Sequence, residues 1–333
     1  MLSAGKRLKT RTCSVHYMEE LIVREQSKPS QKYGCYPDER PLSQLLDFGY
    51  VVVDKPAGPT SHQVSAYVQQ ILGIDKSGHG GTLDPKVTGV LEIGTGVATR
   101  LMEYGLKAGK QYIGIMHLHA DVPEHEVRQA AQKFIGIITQ LPPKRSAVAR
   151  RKRERTIHDL QLLEVSGRDV LFLADVQAGT YIRKLCHDLG AAIGCGAHMA
   201  SLRRTRAGNS SEEQAITLQE LADYYSEAKE GREEHFREVF LPAEALVEHL
   251  PIIAILDSAV HSLTHGATLK MPGISLFSQG IREGDRVQIL TLKGELVAIA
   301  TAGVGADKLL SDSGVAARMD KVFMSSDVYP RME

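Results

Sequence analysis

The chain has 333 residues, 43% hydrophobic and 24% charged, which is enough for a substantial core and for two domains. Forty basic residues balance forty acidic ones, which excludes a protein that grips nucleic acid by overall charge; any such surface is local or shared with partners. No apolar run reaches the length of a membrane span, and the four cysteines form no CxxC pair, so neither a zinc ribbon nor a redox dithiol is indicated.

The first 45 residues are polar and basic, an extension by composition, although Val15, Leu21, Ile22 and Val23 suit a short strand. They lack the apolar block of a secretory signal, and free thiols fit a cytoplasmic protein. Cys13 with His16 and Cys195 with His198 are too scattered for a metal site, so no metal is expected. Residues 49–53, GYVVV, read as a buried strand. Thr60, with Gln63 three residues on, predicts a capped helix whose apolar face is Val64, Val68, Ile71 and Leu72. Lys55, between strand and helix, reads either as a working residue or as a surface or support residue.

Residues 78–89, GHGGTLDPKVTG, form the most distinctive stretch. Gly78, Gly80 and Gly81 remove side chains and admit positive φ. Pro85 biases Asp84 toward extended backbone. The loop therefore presents one carboxylate in a constrained pose with open space beside it. The glycines of LEIGTG (91–96) invite a phosphate-loop reading, but no GxxxxGK(S/T) follows. Residues 110–119 predict a strand with Tyr112, Gly114, Met116 and Leu118 on one face. Val127, Ala130, Ala131 and Phe134 then fall at helical spacing.

Residues 142–155, PPKRSAVARRKRER, carry seven basic residues behind two prolines. A solvated loop has this composition. In a neutral chain it is also where phosphate contacts concentrate, at Arg150, Arg151, Lys152 and Arg153. After a strand over 170–176, Thr180 is placed to N-cap a helix with Ile182, Leu185 and Leu189 inside. Arg183 then lies in the first turn, where the helix dipole disfavours a cation without an anion beside it. Asp84 is the candidate anion, held by charge-assisted hydrogen bonds; a solvent-facing Arg183 is the equal alternative. The arginines of residues 198–208, HMASLRRTRAG, serve phosphates or the surface. Thr217 and Glu220 form a second capping box, and residues 226–237 read as a solvated helix or linker. Beyond residue 250, short β-rich runs alternate with turns, and residues 293–295 make a hairpin. This is a small β-barrel-like domain.

GHGGTLDPKVTG resembles the catalytic signature of the TruB-type RNA pseudouridine synthases, GH(T/S)GTLDPxxTG. DKPAGPTSH before it, the ATR of 98–100, HLHADV and GAHMASLRRT extend the resemblance from residue 49 to about residue 324; LEIGTG departs from the usual pattern. The β-rich end resembles the PUA domain, an RNA-binding module. Together these are similar to the archaeal H/ACA, dyskerin-like branch of the family.

That resemblance implies an α+β fold. Residues 46–249 would form a catalytic domain on a mixed, largely antiparallel sheet flanked by helices, and residues 250–325 a PUA β-barrel. Residues 1–45 would be an extension packed on the PUA domain, and 326–333 a tail. It implies isomerisation of uridine to pseudouridine in RNA, with Asp84 as the catalytic carboxylate and Tyr112 stacked on the uracil. Leu202 packs beside the carboxylate, and the basic run is a mobile thumb over RNA. Leaving the stack costs the base about a few kcal/mol, which an aromatic platform offsets. His79 fills the gap or engages the displaced backbone. Arg183 keeps Asp84 ionised, and Tyr181 assists deprotonation at C5 or closes the pocket. Isomerisation gains and loses no group, so no cofactor is expected. The implied partners are an H/ACA guide RNA and its substrate RNA, small ribonucleoprotein subunits and a kink-turn-binding ribosomal-type protein, with no membrane. A stand-alone tRNA T-arm synthase and a catalytically silent RNA-binding scaffold are the alternatives.

Overall fold

Residues 21–105, 108–141 and 151–331 are described by a computed structural model. They divide into one unit of residues 40–249 and another that joins residues 21–39 to 250–331. Among them, no helix is long and apolar enough to cross a membrane.

The first unit is built on a ten-stranded sheet. Its main path runs Phe240–Pro242, Gly49–Lys55, Thr88–Thr95, Ala197–Ala207, Lys110–Leu118, Asp169–Val176, Arg153–Ser166 and Gly136–Gln140. The pairing of Thr88–Thr95 with Ala197–Ala207 is parallel. The other described pairings in this sheet are antiparallel. The mixed, largely antiparallel catalytic sheet is therefore present as expected.

The helix Ser61–Leu72 starts at the anticipated capping box of Thr60 and Gln63 and ends at Gly73, whose φ is 63°. Val64, Val68 and Leu72 are buried against Val51, Val53, Leu91 and Ile93, each contributing about 1.5–3 kcal/mol. The helix Ile182–Ile193 buries Ile182, Leu185 and Leu189 in a second cluster with Tyr112, Met116 and Phe172. Near its end, Gly190 lies so close to the next strand that a Cβ there would stand 2.2 Å from the Ala197 nitrogen.

Two local expectations change. Thr180 does not cap the helix: the chain first turns through Gly179, with φ 80°, and the Thr180 hydroxyl donates to the Gln177 carbonyl at 2.7 Å. The N-cap position passes to Tyr181. Residues 226–237 are more than a solvated linker, because a short helix, Glu234–Val239, buries Phe236 on Phe240 with ring centroids 4.9 Å apart. The capping box of Thr217 and Glu220 forms as read.

The second unit is a seven-stranded sheet around Ile253, Phe277, Ile289, Val297 and Ala300. Arg286–Leu290 and Leu296–Ala302 pair antiparallel across the turn at Gly294. Leu21–Val23 adds an edge strand, pairing antiparallel with Ile274–Ser278. Side chains of the barrel-side strands and helix then hold the segment that follows: Ser30 N–H donates to Asp257 at 2.7 Å, Cys35 N–H to Glu295 at 3.0 Å, and Lys293 to the Tyr33 carbonyl at 2.7 Å. Val15, read with that strand, lies outside the described residues.

Candidate active site

The loop that carries Asp84 leaves the sheet after the short strand Ser77–His79, which pairs with Thr88–Thr95. Gly80 N–H donates to the Glu92 carbonyl at 2.9 Å. Gly81 has φ 133° and Gly89 φ 101°, where a side chain is strained. At Gly89 a Cβ would also meet the Arg204 carbonyl oxygen at 2.2 Å. Leu83 is buried, and its N–H donates to the Ser61 hydroxyl at 2.8 Å. One side chain before Asp84 is therefore sunk in the core while the carboxylate itself faces out.

Lys55 sits beneath the loop, fully buried. Its ammonium donates to the carbonyls of Pro56 at 2.8 Å, Pro85 at 3.1 Å and Val87 at 2.9 Å. Burial lowers its pKa, and the Asp84 charge partly offsets that. Of the two readings of Lys55, support is the one its contacts match.

Asp84 and Arg183, 99 positions apart, meet in space: Arg183 Nη2 lies 2.5 Å from Asp84 Oδ2. Both side chains stay open to solvent, at 54% and 63% exposure. Leu83, Tyr112, Ile182 and Leu202 belong to one apolar cluster, Tyr112 buried and Leu202 half-buried. In the sheet Tyr112 stands opposite Arg204, and Gly114 opposite Leu202. Tyr181, half-buried, is the residue that begins Arg183's helix.

His79 is half-buried and edge-on to His62, with ring centroids 4.7 Å apart at 89°. Burial lowers its pKa, reinforced by His62 and by the Arg204 charge, which favours the neutral ring at pH 7. A cleft of about 370 Å³ opens beside it, lined by His62, Ser65, Gln69, Ser77 and His79.

The arginines of the LRRTRA segment are used inside the protein. Arg203 forms a bidentate pair with Asp54 at 2.8 and 3.1 Å and also binds Glu212 at 2.9 Å. Arg204, fully buried, donates to the carbonyls of Val90 at 2.7 Å and Gly81 at 3.2 Å. Arg206 pairs with Asp175 at 2.5 Å. Below Gly80 lies buried Glu92, whose Oε1 accepts from the Ser210 hydroxyl at 2.7 Å and whose Oε2 has no hydrogen-bond partner among the described residues. Burial raises its pKa.

Of the basic run, Arg150 lies outside the described residues. Arg151 and Lys152 are exposed, and Arg153, half-buried, begins the strand Arg153–Ser166 opposite Gln140. Among the described residues no three metal-ligating side chains converge, and His198 faces His119 at 3.0 Å.

Sequence reasoning missed Ser61, Arg204 and Glu92 as loop supports. Glu92 did carry a signal, a carboxyl inside the apolar run VLEIG. Ser61 and Arg204 gave none, because their loop partners lie 22 and 123 positions away. The assembled site is an open carboxylate gripped by a guanidinium, and the residues just before each, Leu83 and Ile182, are sunk in the apolar cluster that also holds Tyr112 and Leu202.

The model of the N-terminal domain of TruB family pseudouridylate synthases matches residues 69–182. The model of the tRNA pseudouridylate synthase B C-terminal domain matches residues 183–248. A DKCLD domain matches residues 12–65 and a PUA domain residues 251–323. The chain is 50% identical over 317 residues to the probable tRNA pseudouridine synthase B of Thermococcus gammatolerans, covering 94% of this chain and 95% of that one. The probable tRNA pseudouridine synthase B of Methanopyrus kandleri is 50% identical over 314 residues, covering 94% of this chain and 93% of that one. Among solved structures, a Cbf5-Nop10-Gar1 complex aligns with a TM-score of 0.88 at 48% identity, over 94% of this chain and 96% of that one. An H/ACA RNP bound to a substrate RNA containing 2'-deoxyuridine aligns with a TM-score of 0.87 at 46% identity, over 94% of this chain and 96% of that one. The chain belongs to the TruB family and is an RNA pseudouridine synthase, an isomerase, of the branch that carries DKCLD and PUA domains.

Proposed function

We propose that this protein is the catalytic subunit of a guide-RNA-dependent H/ACA ribonucleoprotein, isomerising chosen uridines in ribosomal RNA and in the tRNA T-arm. The observation that carries the catalytic half is the Asp84–Arg183 contact, with Leu83 beside it in the apolar cluster of Tyr112 and Leu202. Similarity to the Cbf5 complex along 94% of the chain supports the assembly. In this reading small protein subunits, a kink-turn-binding protein and the guide supply RNA contacts that a chain of net charge +0 lacks overall. The proposed compartment is the cytoplasm.

In the mechanism, the flipped uracil lies on Tyr112 and Leu202. Asp84 acts as the nucleophilic or proton-removing carboxylate, aimed by Arg183. Tyr181, which begins Arg183's helix, assists deprotonation at C5 or closes over the base, and neutral His79 faces the gap or the displaced backbone. The N-glycosidic N1–C1′ bond breaks, the base turns, C5 bonds to C1′, the C5 proton leaves, and N1 takes one up, so that no atom is gained or lost.

The experiment is to purify the protein with its bound RNA, sequence that RNA, and follow tritium release from C5-labelled uridine in the paired target. Release by the wild type and none by Asp84→Asn supports the reading. Equal release by both removes Asp84 from the chemistry. Release from tRNA alone, with no guide bound, favours the stand-alone T-arm enzyme; the relatives' names speak of tRNA.

A further inference from the structure

We propose that Gln140 is a positioning residue for catalysis, holding the backbone of Tyr181 and through it the pose of Arg183. The inference rests on the proposed roles of Asp84, Tyr181 and Arg183. Gln140 is the last residue of the strand Gly136–Gln140 and is 2% exposed. Its amide makes both hydrogen bonds that one peptide position offers. Tyr181 N–H donates to Gln140 Oε1 at 3.0 Å, and Gln140 Nε2 donates to the Tyr181 carbonyl at 3.2 Å.

The position of that clamp gives it reach. Tyr181 is the N-cap of the helix Ile182–Ile193, and no side chain caps it there. An N-cap residue has non-helical backbone, so the helix does not fix it. The Tyr181 carbonyl also accepts the first helical bond, from Leu185 N–H at 3.0 Å. Gln140 therefore fixes the point from which the helix departs, two residues before the guanidinium that meets Asp84. On the other side the turn is held by Gln177, whose Oε1 accepts from Thr156 N–H at 3.0 Å. With Gln140 removed, Tyr181 keeps its place in the chain but loses its orientation, and Arg183 shifts with it. A displacement of about 1 Å at a reacting group costs about 10²-fold in rate.

Glutamine is required in both senses of the clamp, one acceptor and one donor. A glutamate keeps the acceptor, but when ionised it cannot donate. Protonation restores the donor. Gln140→Glu therefore makes the proposal testable by pH. The charged groups on the elements packed there are Arg153, opposite Gln140 in the sheet, Glu154 and Arg155 next along that strand, and on the helix Arg183, paired with Asp84, and Lys184, paired with Asp188.

The test uses the full chain with its co-purifying RNA and protein partners, and an unmodified tRNA transcript labelled with tritium at uridine C5. Gln140→Ala is expected to lower the single-turnover rate about 10²-fold, with transcript binding changed less than about twofold. Gln140→Glu is expected to gain rate relative to wild type as pH falls, about tenfold per unit above the pKa of the introduced carboxyl; Gln140→Ala has no such gain. Hydrogen exchange gives a readout independent of activity. The Tyr181 amide is protected in the wild type and exposed in Gln140→Ala, while amides from Leu185 to Leu189 stay protected. A wild-type rate in Gln140→Ala, parallel pH profiles for the two variants, or a freely exchanging Tyr181 amide in the wild type each overturns the proposal. If Asp84→Asn retains activity, the failure lies instead in the catalytic assignment on which this inference rests.

Discussion

Arg183 Nη2 and Asp84 Oδ2 stand 2.5 Å apart while both side chains remain more than half exposed. In water such a pair adds about 0.2–1 kcal/mol to stability. Its value is therefore in orientation, and stability and activity separate on mutation. We predict that Arg183→Lys, which keeps the charge and loses the planar fork, unfolds in urea within about 1 kcal/mol of wild type. Its single-turnover rate falls about 10²-fold. Equal losses in both measurements would make the pair structural.

Gly80 has no positive φ to protect. Its constraint is the neighbour beneath: an added Cβ would stand 2.8 Å from Glu92 Oε2 and 2.9 Å from Met102 Cε. Both atoms are the ends of flexible side chains, so we predict that Gly80→Ala destabilises the protein by only about 1 kcal/mol, the low end of overpacking, and slows the reaction. Adding Glu92→Ala to it removes the carboxyl and recovers part of both. A double-mutant cycle checks this; strict additivity would mean that the carboxyl does not set the height of the loop.

Lys110 is buried in the sheet, and its pKa is pushed down to about 8, first by burial and then by Arg204, with Glu92 opposing and Arg206 adding to the effect. Between about 8 and the usual 10.5, the unfolded chain holds a proton that the folded chain has released. The unfolded state binds more protons there, so stability rises with pH across that window. We predict that Lys110→Met removes this rise, seen as the difference between urea midpoints at the two ends. Parallel curves for both proteins would show that Lys110 stays charged in the fold.

Arg151 and Lys152 are exposed and hold no ion pair among the described residues. With Arg203, Arg204 and Arg206 engaged internally, phosphate contacts must come from groups such as these. We predict that neutralising the two lowers RNA affinity and flattens its salt dependence, by roughly 0.9 in log–log slope for each duplex phosphate no longer neutralised. An unchanged slope assigns both to solvent.

What could be read in the sequence was local, or was forced by charge. Thr60 and Thr217 announced their helices because a capping box spans only four residues. Of the two readings of Arg183, partner of Asp84 or solvent-facing, the structure has the first, across 99 positions, as expected of a cation disfavoured in a helix's first turn. Thr180 misleads because Gly179 draws it into the preceding turn. Gln140, Ser61 and Lys55 act on backbone atoms supplied by the fold, and a backbone atom leaves no mark on composition or spacing. LEIGTG, the departure from the family's usual pattern, proved to hold the buried carboxyl under the catalytic loop.

Gly190 presses the far half of Arg183's helix onto the Ala197 backbone with no room for a methyl group. It lies seven residues from Arg183, about 10 Å along the axis. Any larger residue there would prise the rod off its bed and swing the opposite tip away from the carboxylate. An inherited lesion at this quiet, chemically inert spot would thus present as a crippled enzyme with its reactive groups intact.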